Sequence, residues 1–84
     1  MDLQQQFDQA VAASKTLPQK PANDVLLKLY ALFKQSTEGD INVEEPSNAF
    51  DFVAKAKYNA WESLKGNQKE GSMQEYINLV NSLK

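Results

Sequence analysis

Residues 25–37 read VLLKLYALFKQST, and their apolar side chains recur at helical spacing over a very wide arc. An arc this wide is typical of a helix that is buried against more than one neighbour. We predict that this helix extends from Ala22 to Thr37 and is the most buried element of the fold. Gly39 follows as the residue that ends it, because glycine adopts the left-handed conformation common just beyond a helix.

Three more stretches carry one apolar face at helical spacing. They are Leu3–Ser14, Phe52–Leu64 and Lys69–Leu83. No stretch alternates with a period of two, so the predicted fold class is all-α, with four helices in a single domain over residues 1–84. About a dozen residues separate the second and third helices, enough to let those helices run parallel. The apolar residues of this segment are expected to attach it to the surface; they are Ile41, Val43 and Phe50.

The composition excludes several kinds of chemistry. The chain contains no cysteine and no histidine, so it lacks the usual metal ligands, the usual general base and any Ser-His or Cys-His nucleophile. It has no arginine and a net charge of −2, which argues against binding to duplex DNA. No apolar run approaches a membrane span, and the N-terminus has no signal-peptide pattern. We therefore expect a monomeric cytoplasmic protein with no metal, no cofactor and no insertion into a membrane.

Two lysines fall on helix faces that are otherwise apolar. On the second helix, Lys34 falls about 80° from Leu26, inside the apolar arc. On the third, Lys57 falls about 40° from Val53, in the middle of the apolar stripe, whereas Lys55 falls on the opposite, solvent face. An ammonium group cannot be left dry and unpaired without a large cost in free energy.

Three interpretations of these lysines are open. Each ammonium could reach water along its methylene stem, or form an internal salt bridge with Asp24, Asp51 or Glu62. Alternatively, the two lysines and the phenols of Tyr30 and Tyr76 could form an anion-binding cluster where the second, third and fourth helices meet. Such a cluster beside an apolar surface suits a ligand with phosphate at one end and hydrocarbon at the other.

Four ordered motifs resemble those of the acyl-CoA-binding protein family. Residues 20–24 (KPAND) are similar to its KPxxD motif, and residues 29–42 (LYALFKQSTEGDIN) to LYxxYKQATxGDxN. Residues 52–66 (FVAKAKYNAWESLKG) resemble FxxKAKWxAWxxxKG, and residues 73–77 (MQEYI) resemble MxxYI. The resemblance extends from about Phe7 to the C-terminus, which is essentially the whole chain.

This resemblance implies a skewed up-down-down-up four-helix bundle that binds, sequesters and transports medium- to long-chain acyl-CoA without changing it chemically. It implies that lysine and tyrosine side chains hold the 3′-phosphate and nucleotide head, and that an apolar groove between helices shields the acyl chain. The ligand-binding residues expected on this basis, with Leu27 added from the same apolar face, are Tyr30, Phe33, Lys34, Lys57, Tyr76, Lys15 and Leu27.

The chain departs from the family motifs at several positions. Phe33 stands where a second tyrosine is usual, which keeps a ring for packing against adenine but removes a hydroxyl. Tyr58 replaces a tryptophan, Ser36 replaces an alanine, and the loop at residues 47–50 is one residue longer than is typical. That loop lies near the ligand in the family, so its length bears on the preferred acyl chain.

Other functions make different demands on the sequence. A bundle that binds only proteins would not respond to acyl-CoA, and a helix-turn-helix protein would need a basic surface. An acyl-CoA enzyme would need a nucleophile paired with a base, and no serine here has the Asp-Ser-Leu context of an acyl carrier protein. The expected partners are acyl-CoA and, transiently, the enzymes that use it, with no nucleic acid.

Overall fold

The computed structural model describes residues 1–84 and consists of four α-helices without a strand. The helices are α1 (Leu3–Ser14), α2 (Asn23–Glu38), α3 (Phe52–Glu62) and α4 (Lys69–Leu83). The predicted all-α fold is confirmed, and α1 and α4 have the predicted bounds. Helix α2 is shifted by one residue at each end, and α3 stops two residues early. No helix combines the length and the apolar composition that a membrane-spanning segment requires.

Side-chain caps fix the starts of two helices. The carboxylate of Asp2 accepts a hydrogen bond from the Gln5 N–H at 2.8 Å, and the Gln5 side chain accepts one from the Asp2 N–H. This reciprocal pair satisfies donors that have no partner inside α1. At α3, the Asp51 carboxylate accepts from the Ala54 N–H at 3.0 Å. Helix α2 has no side-chain cap at Ala22; instead Pro18 and Pro21 precede it, and proline prevents the helix from extending further back.

The contacts between helices give the up-down-down-up order that the resemblance implies. Trp61 at the end of α3 donates from Nε1 to the carbonyl of Gly39 at the end of α2 (3.0 Å), so α2 and α3 run parallel. Lys69 at the start of α4 lies against Gly39, so α4 is antiparallel to α2. Phe7 of α1 stacks on Phe33 of α2 with ring centroids 6.0 Å apart. The other end of α1 reaches the first half of α2, so these two helices are also antiparallel.

The buried core is made by three of the four helices. Its residues come from α1, α2 and α4: Phe7, Ala10, Leu29, Leu32, Tyr76, Ile77 and Val80. Helix α2 contributes the most buried side chains, as its wide apolar arc predicts. Helix α3 buries only Trp61 and packs on α2 alone. The fold is therefore a three-helix core with α3 attached to one side, which leaves the flank of α2 partly open.

The carboxylate of Asp40 links the end of α2 to the connection between α3 and α4. One oxygen of Asp40 accepts from the Gln35 amide at 2.9 Å and from the Gly66 N–H at 2.8 Å. Gln35 is fully buried, and its amide also donates to the carbonyl of Asn67 at 2.8 Å. The Gly66 and Gln35 hydrogen bonds hold the pKa of Asp40 below its usual range.

We expect Asp40→Ala to lower the melting temperature by about 5 °C or more, because Gln35 and Gly66 lose an acceptor. The pKa of Asp40 is lower in the folded chain than in the unfolded chain. The stabilisation of the fold by the Asp40 carboxylate is therefore complete above the ordinary pKa range of a carboxyl group. It is lost as the pH falls through the lowered pKa. Thermal melts at about pH 7 and about pH 2 check this, with Glu44→Ala in an exposed loop as the control. A difference between wild type and Asp40→Ala that stays the same at both pH values would contradict the role of the charge.

The loop between α2 and α3 is held differently from the prediction. Ile41 is half-buried, but Val43 and Phe50 are 55% and 85% exposed, so the expectation that they attach the loop is wrong. Polar contacts do this instead: Asp40 fixes one end, and at the other the Asn48 side chain accepts from the Phe50 N–H at 2.9 Å. Because this turn runs directly into the cap of α3, the loop needs no apolar anchor.

Candidate functional site

An open groove of about 370 Å³ lies between the first halves of α2 and α3. We call it the α2–α3 groove; its lining residues are Asn23, Leu26, Leu27, Tyr30, Phe52, Val53, Ala56 and Lys57. Its wall on α3 is the stripe that sequence periodicity identifies as apolar. Phe52 and Val53 are 73% and 65% exposed, so the first half of this face lines the groove, and only Trp61 further along is buried. Exposed apolar side chains beside a concave surface of this volume are typical of a ligand site.

Two lysines flank one tyrosine ring at the edge of the groove. The Lys57 Nζ lies 5.3 Å from the centroid of the Tyr30 ring, and the Lys34 Nζ lies 6.0 Å from the same centroid. Lys34 also lies 5.5 Å from the centroid of a Trp61 ring. Ammonium groups at these distances are attracted to the faces of the rings. The structure therefore brings Tyr30, Lys34 and Lys57 together, from two different helices.

The two lysines of α3 differ in a way that the helical wheel does not predict. Lys57 is exposed although its neighbours are apolar, because those neighbours line an open groove. Lys55, which the wheel places on the solvent face, is half-buried, and this expectation is wrong. Since α3 packs on α2 alone, an apolar face of α3 does not have to be its buried face.

Lys34 is paired with a carboxylate that the sequence analysis did not consider. Its Nζ donates to Glu38 Oε2 at 2.7 Å, one helical turn further along α2. None of Asp24, Asp51 and Glu62, the partners considered from the sequence, forms the pair. The hydrogen bond from Lys34 lowers the pKa of Glu38, and the bond to Glu38 raises that of Lys34.

A second concavity of about 330 Å³ lies between α1, α2 and α4, and we call it the α1–α2–α4 cleft. Its lining residues are Val11, Ser14, Lys15, Leu26, Leu29, Tyr30, Phe33 and Tyr76. Tyr76 is 4% exposed, and its hydroxyl finds the partner that burial demands by donating to Ser14 Oγ at 3.1 Å. The centroid of the half-buried Phe33 ring lies 6.5 Å from the centroid of the Tyr76 ring. Lys15 is exposed at the rim of the cleft.

The site is not the junction of three helices that the sequence analysis expects. Lys57 lines the groove, on the α3 side of α2, whereas Tyr76 lines the cleft, on the side of α1 and α4. Tyr30 and Leu26 line both the groove and the cleft, which therefore adjoin along α2. The resulting surface combines an apolar trough, two ammonium groups over a ring and an aromatic cleft. It suits an anionic ligand with a hydrocarbon tail.

The predicted site residues do not include several residues of this site, notably the groove walls on α2 and α3 and the carboxylate of Glu38. Val53 belongs to the apolar stripe of the sequence, but periodicity does not distinguish a core face from a groove wall, and Phe52 beside it lines the groove as well. Glu38 was overlooked although its spacing of four residues from Lys34 is that of neighbours on a helix surface. That spacing is the signal that could have identified it.

The chain is similar to known proteins over nearly its whole length. The sequence profile of the family described as "Acyl CoA binding protein" matches residues 4–80. Acyl-CoA-binding protein of Dictyostelium discoideum is 48% identical over 77 residues, covering 92% of this chain and 90% of that protein. The crystal structure of Oryza sativa Acyl-CoA-Binding Protein 2 superposes with a TM-score of 0.91 at 35% identity, over 98% of this chain and 90% of the rice chain.

A similarity of another kind links the chain to part of an enzyme. Enoyl-CoA delta isomerase 2 of Rattus norvegicus is 48% identical over 80 residues. Those residues are 95% of this chain but only 20% of the isomerase. The match thus concerns one segment of that enzyme and leaves most of its length without a counterpart here.

Proposed function

Because the chain belongs to the acyl-CoA-binding protein family and binds acyl-CoA, we propose that it holds a medium- to long-chain ester across α2. In this arrangement the acyl chain lies in the α2–α3 groove, and the nucleotide head lies at Tyr30, Lys34 and Lys57. The observation that carries the proposal is the convergence of two ammonium groups on the Tyr30 ring, where the groove and the cleft adjoin.

The head is held by charge. The phosphates of CoA accept charge-assisted hydrogen bonds from Lys34 and Lys57, each contributing about 1.5–3 kcal/mol. Lys15, at the rim of the cleft, adds a third cation within reach of the head. Phe33 lines the cleft and offers a half-buried ring against which adenine packs, and Tyr76 lies behind it in the same cleft. This half of the binding free energy weakens as salt is added.

The tail is held by the hydrophobic effect. Leu27, with Leu26, Val53 and Ala56, forms the apolar trough that takes the acyl chain. At about 0.8 kcal/mol for each buried methylene, a chain of about 14 carbons contributes on the order of 10 kcal/mol before the costs of immobilisation. The tail is therefore the larger contribution, while the head distinguishes a CoA ester from a free fatty acid.

We propose that the protein acts as a monomer in the cytoplasm and leaves the thioester chemically unchanged. Holding the tail in the groove keeps a detergent-like ligand in solution. The same complex can deliver the ester to the enzymes that use it. No cofactor takes part in this function, because binding alone performs it.

Titration calorimetry tests the proposal directly. Palmitoyl-CoA should bind saturably to the wild-type protein, and palmitate, which has the tail without the head, should bind far more weakly. A protein that gave no heat with palmitoyl-CoA and no thermal shift would contradict acyl-CoA binding. Equal affinities for the two ligands would contradict the role given to the lysines.

Tyr30→Ala should weaken octanoyl-CoA binding by about tenfold. Tyr30 lines both the groove and the cleft, and the ammonium groups of Lys34 and Lys57 both lie against its ring. The fold should survive, because Tyr30 is only half-buried and lies outside the buried core cluster. Calorimetry and circular dichroism of the variant check the two statements. An unfolded variant would show instead that Tyr30 is part of the core.

A further inference from the structure

The one ion pair of this structure lies at the proposed head site. The chain has nine lysines and eleven acidic residues, yet only Lys34 and Glu38 bring an ammonium nitrogen within 4.0 Å of a carboxylate oxygen. Lys57, the other lysine over the Tyr30 ring, has no such partner. Both members of the pair remain accessible, with 31% and 39% of the Lys34 and Glu38 side chains exposed. An incoming phosphate can therefore reach the paired ammonium.

The order and position of the two residues make the pair a weak stabiliser of α2. A lysine followed four residues later by a glutamate is the weaker of the two possible orders on a helix. Glu38 is also the last residue of α2, where the negative end of the helix dipole disfavours a carboxylate. Helix formation thus gives no reason for an acidic residue at this position.

We propose that Glu38 occupies the Lys34 ammonium in the free protein in place of a ligand phosphate, and that it thereby sets the affinity for the CoA head. This inference rests on the proposed function and identifies a residue that limits it. Binding exchanges the Lys34–Glu38 contact for a contact between Lys34 and phosphate. The displaced carboxylate then stays one helical turn away and repels the same phosphate. Lys57 meets no such competition, so the two lysines contribute unequally.

The test is the affinity of Glu38→Gln for octanoyl-CoA, measured by calorimetry at low salt. We expect binding about three- to tenfold tighter than wild type, a gain that shrinks as salt is added. Glu44→Gln is the matched control, since it changes the net charge equally in an exposed loop and should leave the affinity within about twofold. The melting temperature of Glu38→Gln should stay within about 2 °C of the wild type, because losing an exposed ion pair and losing an unfavourable charge at the helix end oppose each other.

A double-mutant cycle separates exchange of the pair from simple repulsion. In a Lys34→Met background, Glu38→Gln should give at most about twofold tighter binding, because there is no ammonium to release. The same gain in both backgrounds would overturn the proposal, since the carboxylate would then act only by repelling phosphate. Weaker binding by Glu38→Gln would overturn it too, because Glu38 would then position Lys34. If the wild-type protein bound neither octanoyl-CoA nor palmitoyl-CoA, the proposed function would fail. If the wild type bound both and Glu38→Gln had the same affinity as the wild type, only the inference about Glu38 would be overturned.

Discussion

Palmitoyl-CoA should bind at least about a hundredfold more tightly than octanoyl-CoA, and free CoA should bind most weakly. The longer chain has about eight more methylene groups, and their full burial would contribute about 6 kcal/mol. The groove is open and its Phe52 and Val53 wall is largely exposed, so part of the tail stays in contact with water. About half of the full contribution still corresponds to about a hundredfold in affinity.

Competition titrations with the three ligands on one protein sample measure this series. Val53→Ser replaces the two methyl groups of a groove-wall side chain with one hydroxyl and leaves the lysines unchanged, so it should weaken palmitoyl-CoA binding and leave free CoA binding unchanged. Similar affinities for octanoyl-CoA and palmitoyl-CoA would show that the tail does not lie in the α2–α3 groove. The assignment of the head to Lys34 and Lys57 would survive that result.

Lys57→Ala should weaken palmitoyl-CoA binding by more than about tenfold. Its ammonium is exposed, lies over Tyr30 and has no carboxylate within 4.0 Å, so its full charge is available to a phosphate. Losing one charge-assisted hydrogen bond costs about 1.5–3 kcal/mol, which is about 10- to 150-fold in affinity. Because the lost interaction is electrostatic, the gap between variant and wild type should narrow as salt is added.

Lys55→Ala is the matched control for this variant. It removes the same charge two residues away on α3, from a side chain that does not line the groove. Its affinity should stay close to that of the wild type. Lys55 is half-buried, so melting temperatures of both variants are needed to separate loss of packing from loss of binding. Equal losses of affinity in Lys55→Ala and Lys57→Ala would mean that the ligand responds to the net charge of the protein and not to the position of Lys57.

Local sequence signals predicted the helices well because each signal acts within a few residues. The Asp2 cap, the prolines before α2 and Gly39 after it are local features, and the observed bounds follow them. The relative arrangement of helices is not local. Periodicity showed that Lys57 has apolar neighbours, but only the packing of α3 on α2 alone shows that those neighbours form an open groove.

The candidate site was predictable to different degrees for the same reason. Tyr30 and Lys34 are one helical turn apart on one helix, so the sequence alone makes them neighbours. The approach of Lys57 to Tyr30 depends on the parallel packing of α2 and α3, and the burial of Tyr76 depends on α1. The resemblance to a known family predicted that these residues share one ligand site, which periodicity alone could not do. It could not supply the Glu38 contact, which belongs to a variable position of the motif.

Helix α3 is held more firmly at its C-terminal end than at its N-terminal end. Its C-terminal end is fastened by the bond from Trp61 to Gly39, and the turn that follows is fastened by Gly66 to Asp40. Its first turn packs only against the flank of α2, so we expect that end of α3 to open more readily than the fastened end. In the proposed arrangement, the acyl chain lies in the trough beside this turn and adds apolar contacts to it. Occupancy of the groove should thus slow amide hydrogen exchange most in the first turns of α3, which couples uptake of the lipid to the rigidity of one helix.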